Sequence, residues 1–291
     1  MIKLIKMLLI FGIFISCPPT GVCQPGDGAK HVTVAILPCY DIVMTFKKFH
    51  PLITYLKQET GLQINMVVPR DFGQLQVSLK GGEIDFALQD PHTYVLLANL
   101  LNTDTIIKAL TWEGSVFQHG VIITRKDSGI KSVSDLRGKS LMFGPKLSFS
   151  KWIAAKDLLK DNHINIDEDL RSYQNGGCCQ DIAFNVYLKS VDAGVVCDHF
   201  LKEQAESDND LGLDSNQLIA IAETGSVPTR VFVARKETDR DLVHRVDEAL
   251  LKLDKQNPVH AAILYPVELG GFQRANDHDY DSVRVLMEEG F

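Results

Sequence analysis

Four cysteines stand shortly after segments that read as strands. Cys39 follows residues 31–37, Cys178 and Cys179 follow the run at 170–173, and Cys197 follows the run at 192–196. Two chemistries suit thiols placed this way. One is a structural disulfide, as in many exported proteins. Cys178 and Cys179 are chain neighbours with Cα atoms about 3.8 Å apart, below the usual span of a bridge. Either would pair more easily with Cys197, closing a loop of about 20 residues. The other chemistry is a soft-ligand site, since thiolates prefer thiophilic species to hard phosphate. A cysteine hydrolase built on Cys179 and His199 would rest only on the nearness of their loops. The C-x-x-C redox pair is absent, and so are P-loop, G-x-S-x-G, H-E-x-x-H and G-x-G-x-x-G patterns. No catalytic residue is therefore assigned. His92, His119 and His199 are scattered without paired-ligand spacing, so neither a metal nor a cofactor is expected.

A hard oxyanion has its own candidates. Ser148 and Ser150, with Lys151 after them, fall at the start of an apolar-periodic segment. Hydroxyls and unsatisfied backbone N–H groups at a helix start suit such an anion. The same serines would serve equally as plain N-caps. Tyr40 lies in the loop after the first apolar run and is a further candidate contact. Asp198 follows residues 192–196 and would cap a helix over 200–206.

These loops need a scaffold, and the chain supplies one. Its 291 residues allow two domains of ordinary size. Lys and Arg number 30 against 37 Asp and Glu, a net charge of −7, which lacks the basic surplus of a general nucleic-acid binder. From residue 31 on, strand and helix patterns alternate. Phe46, Phe49, Leu52, Ile53 and Leu56 share a helical face stopped by Gly61, and residues 62–68 form a run closed by Pro69. Such alternation predicts an α/β fold with largely parallel sheets. In such sheets ligands bind beyond the carboxyl ends of the strands. That rule selects the loops at 38–41, 89–92, 144–150, 175–180 and 197–199, and it sends all four thiols to one cleft.

The first residues read as an export signal. Lys3 and Lys6 precede an apolar run over 7–15 too short to span a bilayer, and Pro18 and Pro19 follow. Phe14-Ile15-Ser16-Cys17 is similar to a lipobox, making Cys17 a lipidation candidate, while cleavage after Cys23 is the rival. The expected division is a signal peptide at 1–16 and a linker at 17–30. The expected location is the periplasm or cell envelope, with the membrane touched only through a lipid anchor.

Several loops in order resemble the phosphate/phosphite/phosphonate-type periplasmic binding proteins of ABC importers. The first is Gly81-Gly82-Glu83-Ile84-Asp85-Phe86-Ala87 followed by Asp90-Pro91-His92-Thr93-Tyr94, with Asp90 where glycine is usual. The second runs from Asp127-Ser128-Gly129-Ile130 to Asp135-Leu136-Arg137-Gly138-Lys139, and Val191-Asp192-Ala193-Gly194 and Gly271-Phe272 follow downstream. The resemblance implies a two-lobed type II clamshell, with one lobe from 31–117 and 225–291 and the other from 118–224. It implies that Tyr94 touches ligand, that Ser148 and Ser150 belong to a hydroxyl cradle, and that Asp198 accepts hydrogen bonds from ligand. The implied function is capture of a small oxyanion by a monomer that docks on an ABC permease. A branch of the family resembles arsenite-sensing binding proteins. That implies an alternative, a sensor of a thiophilic species feeding a histidine kinase, with Cys178, Cys179 and Cys197 as ligands.

Overall fold

The computed structural model describes residues 30–37, 41–206 and 212–288. Tyr40, Cys39 and the segment carrying Cys17 lie outside the described residues.

The first lobe opens with β1 (His31–Ile36), α1 (Ile42–Thr60), β2 (Gln63–Val67), α2 (Phe72–Lys80), β3 (Phe86–Gln89), α3 (Pro91–Leu97) and β4 (Leu101–Thr111). Helix α1 buries Phe49, Leu52, Ile53 and Leu56, the stripe that the 3.6-residue spacing marks out. It ends because Gly61 takes a left-handed conformation, φ 67°, and returns its N–H to Lys57 O. Helix α3 is shorter than its apolar pattern suggests. After one 3-10 turn the chain joins β4 at Leu101, because Leu101 pairs with Arg235 in the sheet.

A two-residue strand, β5 (Phe117–Gln118), leads into the second lobe. There follow β6 (Gly120–Arg125), β7 (Ser140–Phe143), α4 (Ala154–Asp161), β8 (Ser172–Asn175), α5 (Cys179–Tyr187), β9 (Ala193–Cys197), α6 (Phe200–Glu206) and β10 (Leu218–Glu223). The chain returns through β11 (Val227–Pro228), which pairs antiparallel with β5. It completes the first lobe with β12 (Val231–Arg235), α7 (Arg240–Leu251), α8 (Pro258–Leu264), β13 (Leu269–Ala275) and α9 (Asp281–Glu288).

The first sheet has the order β13-β4-β12-β3-β1-β2 and the second β10-β6-β9-β7-β8. Four of six strands in the first and four of five in the second run the same way. β12 and β13 run against the rest in the first sheet and β6 in the second; β6 and β12 do so where the chain enters each sheet from the opposite lobe. The architecture is thus the α/β clamshell with mostly parallel sheets, each flanked by helices. The carboxyl ends of β7 and β9 and the turn into α5 face the first lobe across a cleft. No helix of the described residues is long and apolar enough to cross a membrane.

Candidate functional site

A cavity of about 70 Å³ lies between the lobes. Lys151, Cys178, Cys179, Gln180, Cys197 and His199 line it from the second lobe, and Leu110, Thr111, Arg230 and Glu268 from the first. Its volume suits a small ion, well below the several hundred Å³ of drug-sized pockets.

The three described cysteines are thiols, not disulfides. Their environments drive them apart. Cys178 is the N-cap of α5 and is buried, which pushes its thiol up to about 11. Cys179 is the first residue of the helix. Its Sγ accepts a hydrogen bond from the Cys197 thiol and another from Cys197 N at 3.2 Å, and Lys151 Nζ lies 3.6 Å away. These donors, together with the charge of Lys151 and a smaller contribution from His199, outweigh burial and lower Cys179 to about 5. The helix N-terminus acts in the same sense. The surroundings thus favour the thiolate at Cys179 and the neutral thiol at Cys178.

Lys151 reaches this thiolate through a specific backbone feature. A Cβ on Gly144 would stand 2.5 Å from Lys151 Cβ and 2.9 Å from its Cε, so only glycine lets the lysine stem cross the loop after β7. Gly144 N also donates to Lys151 O at 3.1 Å. The turn over Phe149–Ile153 is wide, with Ala154 N donating to Phe149 O five residues back, and α4 begins after it. The lysine is 2% exposed and lies within hydrogen-bonding reach of Cys179.

His199 joins the two lobes. Its Nδ1 lies 3.2 Å from Asp198 Oδ1 and its Nε2 3.7 Å from Glu268 Oε2. Glu268 also pairs with Lys48 at 2.7 Å and has φ 60°, a left-handed conformation costly for a residue with a Cβ. Asp198 accepts from His119 N at 3.0 Å and from His199 N at 2.9 Å. It orients the imidazole and does not itself line the cavity.

The expected oxyanion cradle holds a residue of the chain itself. Asp90 Oδ1 accepts from His92 N at 3.0 Å, at the start of α3, and from Phe149 N at 3.0 Å, at the start of the wide turn. Burial pushes this carboxyl up to about 6, against the pull of those two N–H groups and of Arg230 and Lys151. Ser148 caps the turn, its Oγ accepting from Lys151 N at 3.3 Å. Ser150 is buried, with its carbonyl pressed against Gly120, where a Cβ would approach to 2.4 Å. Tyr94 packs in the core of the first lobe, its ring 4.7 Å from that of Tyr280 and its hydroxyl donated to Asp277. None of Tyr94, Ser148 and Ser150 lines the cavity.

Cys178, Cys179 and Cys197, expected in one cleft, line one cavity, together with Arg230 and Glu268, which no sequence pattern singles out, and with Lys151 seated over Gly144. The departure from glycine at Asp90 was a visible signal of the filled cradle. Nothing local marks Arg230 or Glu268, which enter the site from the opposite lobe.

Residues 34–280 match the family model described as "ABC transporter, phosphonate, periplasmic substrate-binding protein". The chain is 24% identical over 184 residues to the tetrathionate sensor histidine kinase TtrS of Salmonella typhimurium. That match takes in 60% of this chain, and the chain spans about a third of the length of that relative, 30% of it being matched. Among solved structures, PhnD1 from Prochlorococcus marinus (MIT 9301) in complex with methylphosphonate superposes with a TM-score of 0.77 at 15% identity, covering 90% of this chain and 98% of the other. A binding protein component of an ABC phosphonate transporter from Pseudomonas aeruginosa gives 0.76 at 15% identity, covering 89% and 86%. The structural likenesses concern the fold.

Proposed function

The chain belongs to the periplasmic substrate-binding family of phosphonate ABC transporters, and on that premise we propose that it captures a small oxyanion in the cavity beside Lys151 and Arg230. The phosphate/phosphite/phosphonate class is the reference chemistry, and methylphosphonate is the ligand bound to PhnD1. The observation that carries this reading is the interlobe cavity itself. It sets a buried lysine, an arginine and the start of α5 around a space of small-ion size. The lobes, 31–117 with 225–291 and 118–224, would rock about β5 and β11. Ligand contacts to both would favour the closed form that docks on an ABC permease. Cys17 would anchor the exported protein through a lipid, and Cys17→Ala would then yield a chain without the lipid mass. Tyr40 remains a candidate contact from the loop after β1. The role is binding, and no catalytic residue is assigned.

Isothermal titration with methylphosphonate, phosphate and phosphite tests the site. Saturable binding that Lys151→Met weakens supports it, and binding to none of the three sinks the phosphonate class.

The thiols favour a second reading. Three cysteines at the wall, and kinship with a sensor of tetrathionate, fit detection of a thiophilic species such as arsenite or a sulfur oxyanion. The closed form would then be presented to a histidine kinase. Stabilisation by arsenite that Cys179→Ser abolishes is the result that would favour it.

A further inference from the structure

An anion-binding cavity gains nothing for phosphate or phosphonate from a thiolate in its wall. Lys151 and Arg230 serve any oxyanion, and the Asp90 carboxylate already fills a pair of N–H groups at the starts of α3 and the wide turn, whereas the Cys179 sulfur beside Lys151 adds a contact that only a thiophilic ligand uses. The pair Cys179 and Lys151 makes sense for a ligand that is anionic at one atom and electrophilic at the next. Sulfonate-capped sulfur chains have that form, because the sulfur bonded to –SO3⁻ accepts thiolate attack while the sulfonate seeks cations.

We infer that Cys179 is a nucleophile that captures a polythionate or thiosulfonate from this cavity by attack on its sulfenyl sulfur. The inference rests on the reading of the cavity as the ligand site. Lys151 and Arg230 hold the sulfonate, and the N–H of Cys197 holds Cys179 Sγ on the cavity wall. With tetrathionate the thiolate forms a bond to one central sulfur, the central S–S bond breaks, and thiosulfate leaves with the electron pair. Cys179 then carries an –S–SO3⁻ group. Cys197, whose thiol donates to Cys179 Sγ, is placed to finish the exchange. It loses its proton to solvent and attacks Cys179 Sγ, a second thiosulfate departs, and a Cys179–Cys197 disulfide remains. Two thiols are oxidised by two electrons, and one tetrathionate is reduced to two thiosulfates.

The experiment treats reduced, desalted protein with a limiting amount of tetrathionate and follows intact mass, released thiosulfate and peptide maps. The expected product is a Cys179–Cys197 disulfide with two thiosulfates released per protein. Cys197→Ser should stop at the adduct on Cys179, and Cys179→Ser should release no thiosulfate from the native cavity. Oxidised glutathione, a disulfide without sulfonate, should react at least about tenfold more slowly, because it offers nothing for Lys151 and Arg230 to hold. Equal rates with glutathione would make Cys179 a general redox thiol and overturn the ligand class. Unmodified wild-type protein, or primary modification at Cys178 or Cys197, would overturn the capture itself. Calorimetry of methylphosphonate on the reduced wild-type protein separates the two levels. Binding there without any thiosulfate release from wild type defeats the covalent step and leaves the cavity as the anion site. Absence of both defeats the site.

Discussion

Asp90 of the first lobe and Phe149 of the second are joined across the cleft by a hydrogen bond of 3.0 Å, from Phe149 N to Asp90 Oδ1. The chain thus supplies its own anion to two backbone N–H groups that would otherwise await one. This bond helps to hold the lobes together beside Lys151 and Arg230, which line the cavity.

The titration of Asp90 gives the first prediction. Its folded value of about 6 lies above the ordinary carboxylate value of about 4. Between those pH values the folded chain holds more protons than the unfolded one, so this group's contribution to stability falls as pH rises. Asparagine keeps an accepting oxygen but never ionises. Asp90→Asn should therefore gain stability relative to wild type as pH rises from 4 to 7. Urea unfolding midpoints at both ends of that range measure it, and a difference that does not change with pH refutes the buried titration.

Lys151 should control both the anion and the thiolate. Lys151→Met keeps the stem that packs over Gly144 and removes the charge 3.6 Å from Cys179 Sγ. Loss of a charge-assisted contact of about 1.5–3 kcal/mol predicts a roughly tenfold to hundredfold fall in anion affinity. Cys179 should at the same time alkylate more slowly at pH 6, because its pKa rises. Calorimetry and timed labelling with iodoacetamide read the two effects.

Gly144 tests how Lys151 is placed. Gly144→Ala puts a methyl group 2.5 Å from Lys151 Cβ, a contact that must be relieved by movement of the lysine or the loop. Overpacking of this kind costs about 1–3 kcal/mol. The expected outcome is a lower melting temperature together with slower alkylation of Cys179. A variant with wild-type values for both would mean that the lysine is not held by this contact.

The two neighbouring thiols should differ sharply. With Cys179 lowered to about 5 and Cys178 raised to about 11, iodoacetamide at neutral pH should label Cys179 first. The rate at Cys179 should be flat above pH 6, whereas that at Cys178 should climb about tenfold per pH unit. Peptide mapping after brief labelling decides it, and equal labelling would contradict the assigned environments.

Much of this was legible in the residues alone, because local rules govern it. The apolar stripe of α1 and its stop at Gly61 follow from helical periodicity and from glycine's access to the left-handed region. The alternation of strands and helices placed Cys178, Cys179 and Cys197 at carboxyl ends on one edge of a sheet, and all three line one cavity. The sequence also marked Asp90 as a departure from glycine, without showing what its carboxylate does. Tertiary structure alone decided the rest. Whether a thiol ionises depends on burial, on the donors around it and on a lysine 28 positions away along the chain, none of which a local pattern records. Arg230 and Glu268 reach the site only because the second lobe is inserted within the first, so that the returning chain brings them to face Lys151 and His199. Tyr94, expected at the ligand, is instead held in the core by Asp277, a residue 183 positions distant. A side chain's partner across such separations is set by how the lobes close, and closure is a property of the folded whole.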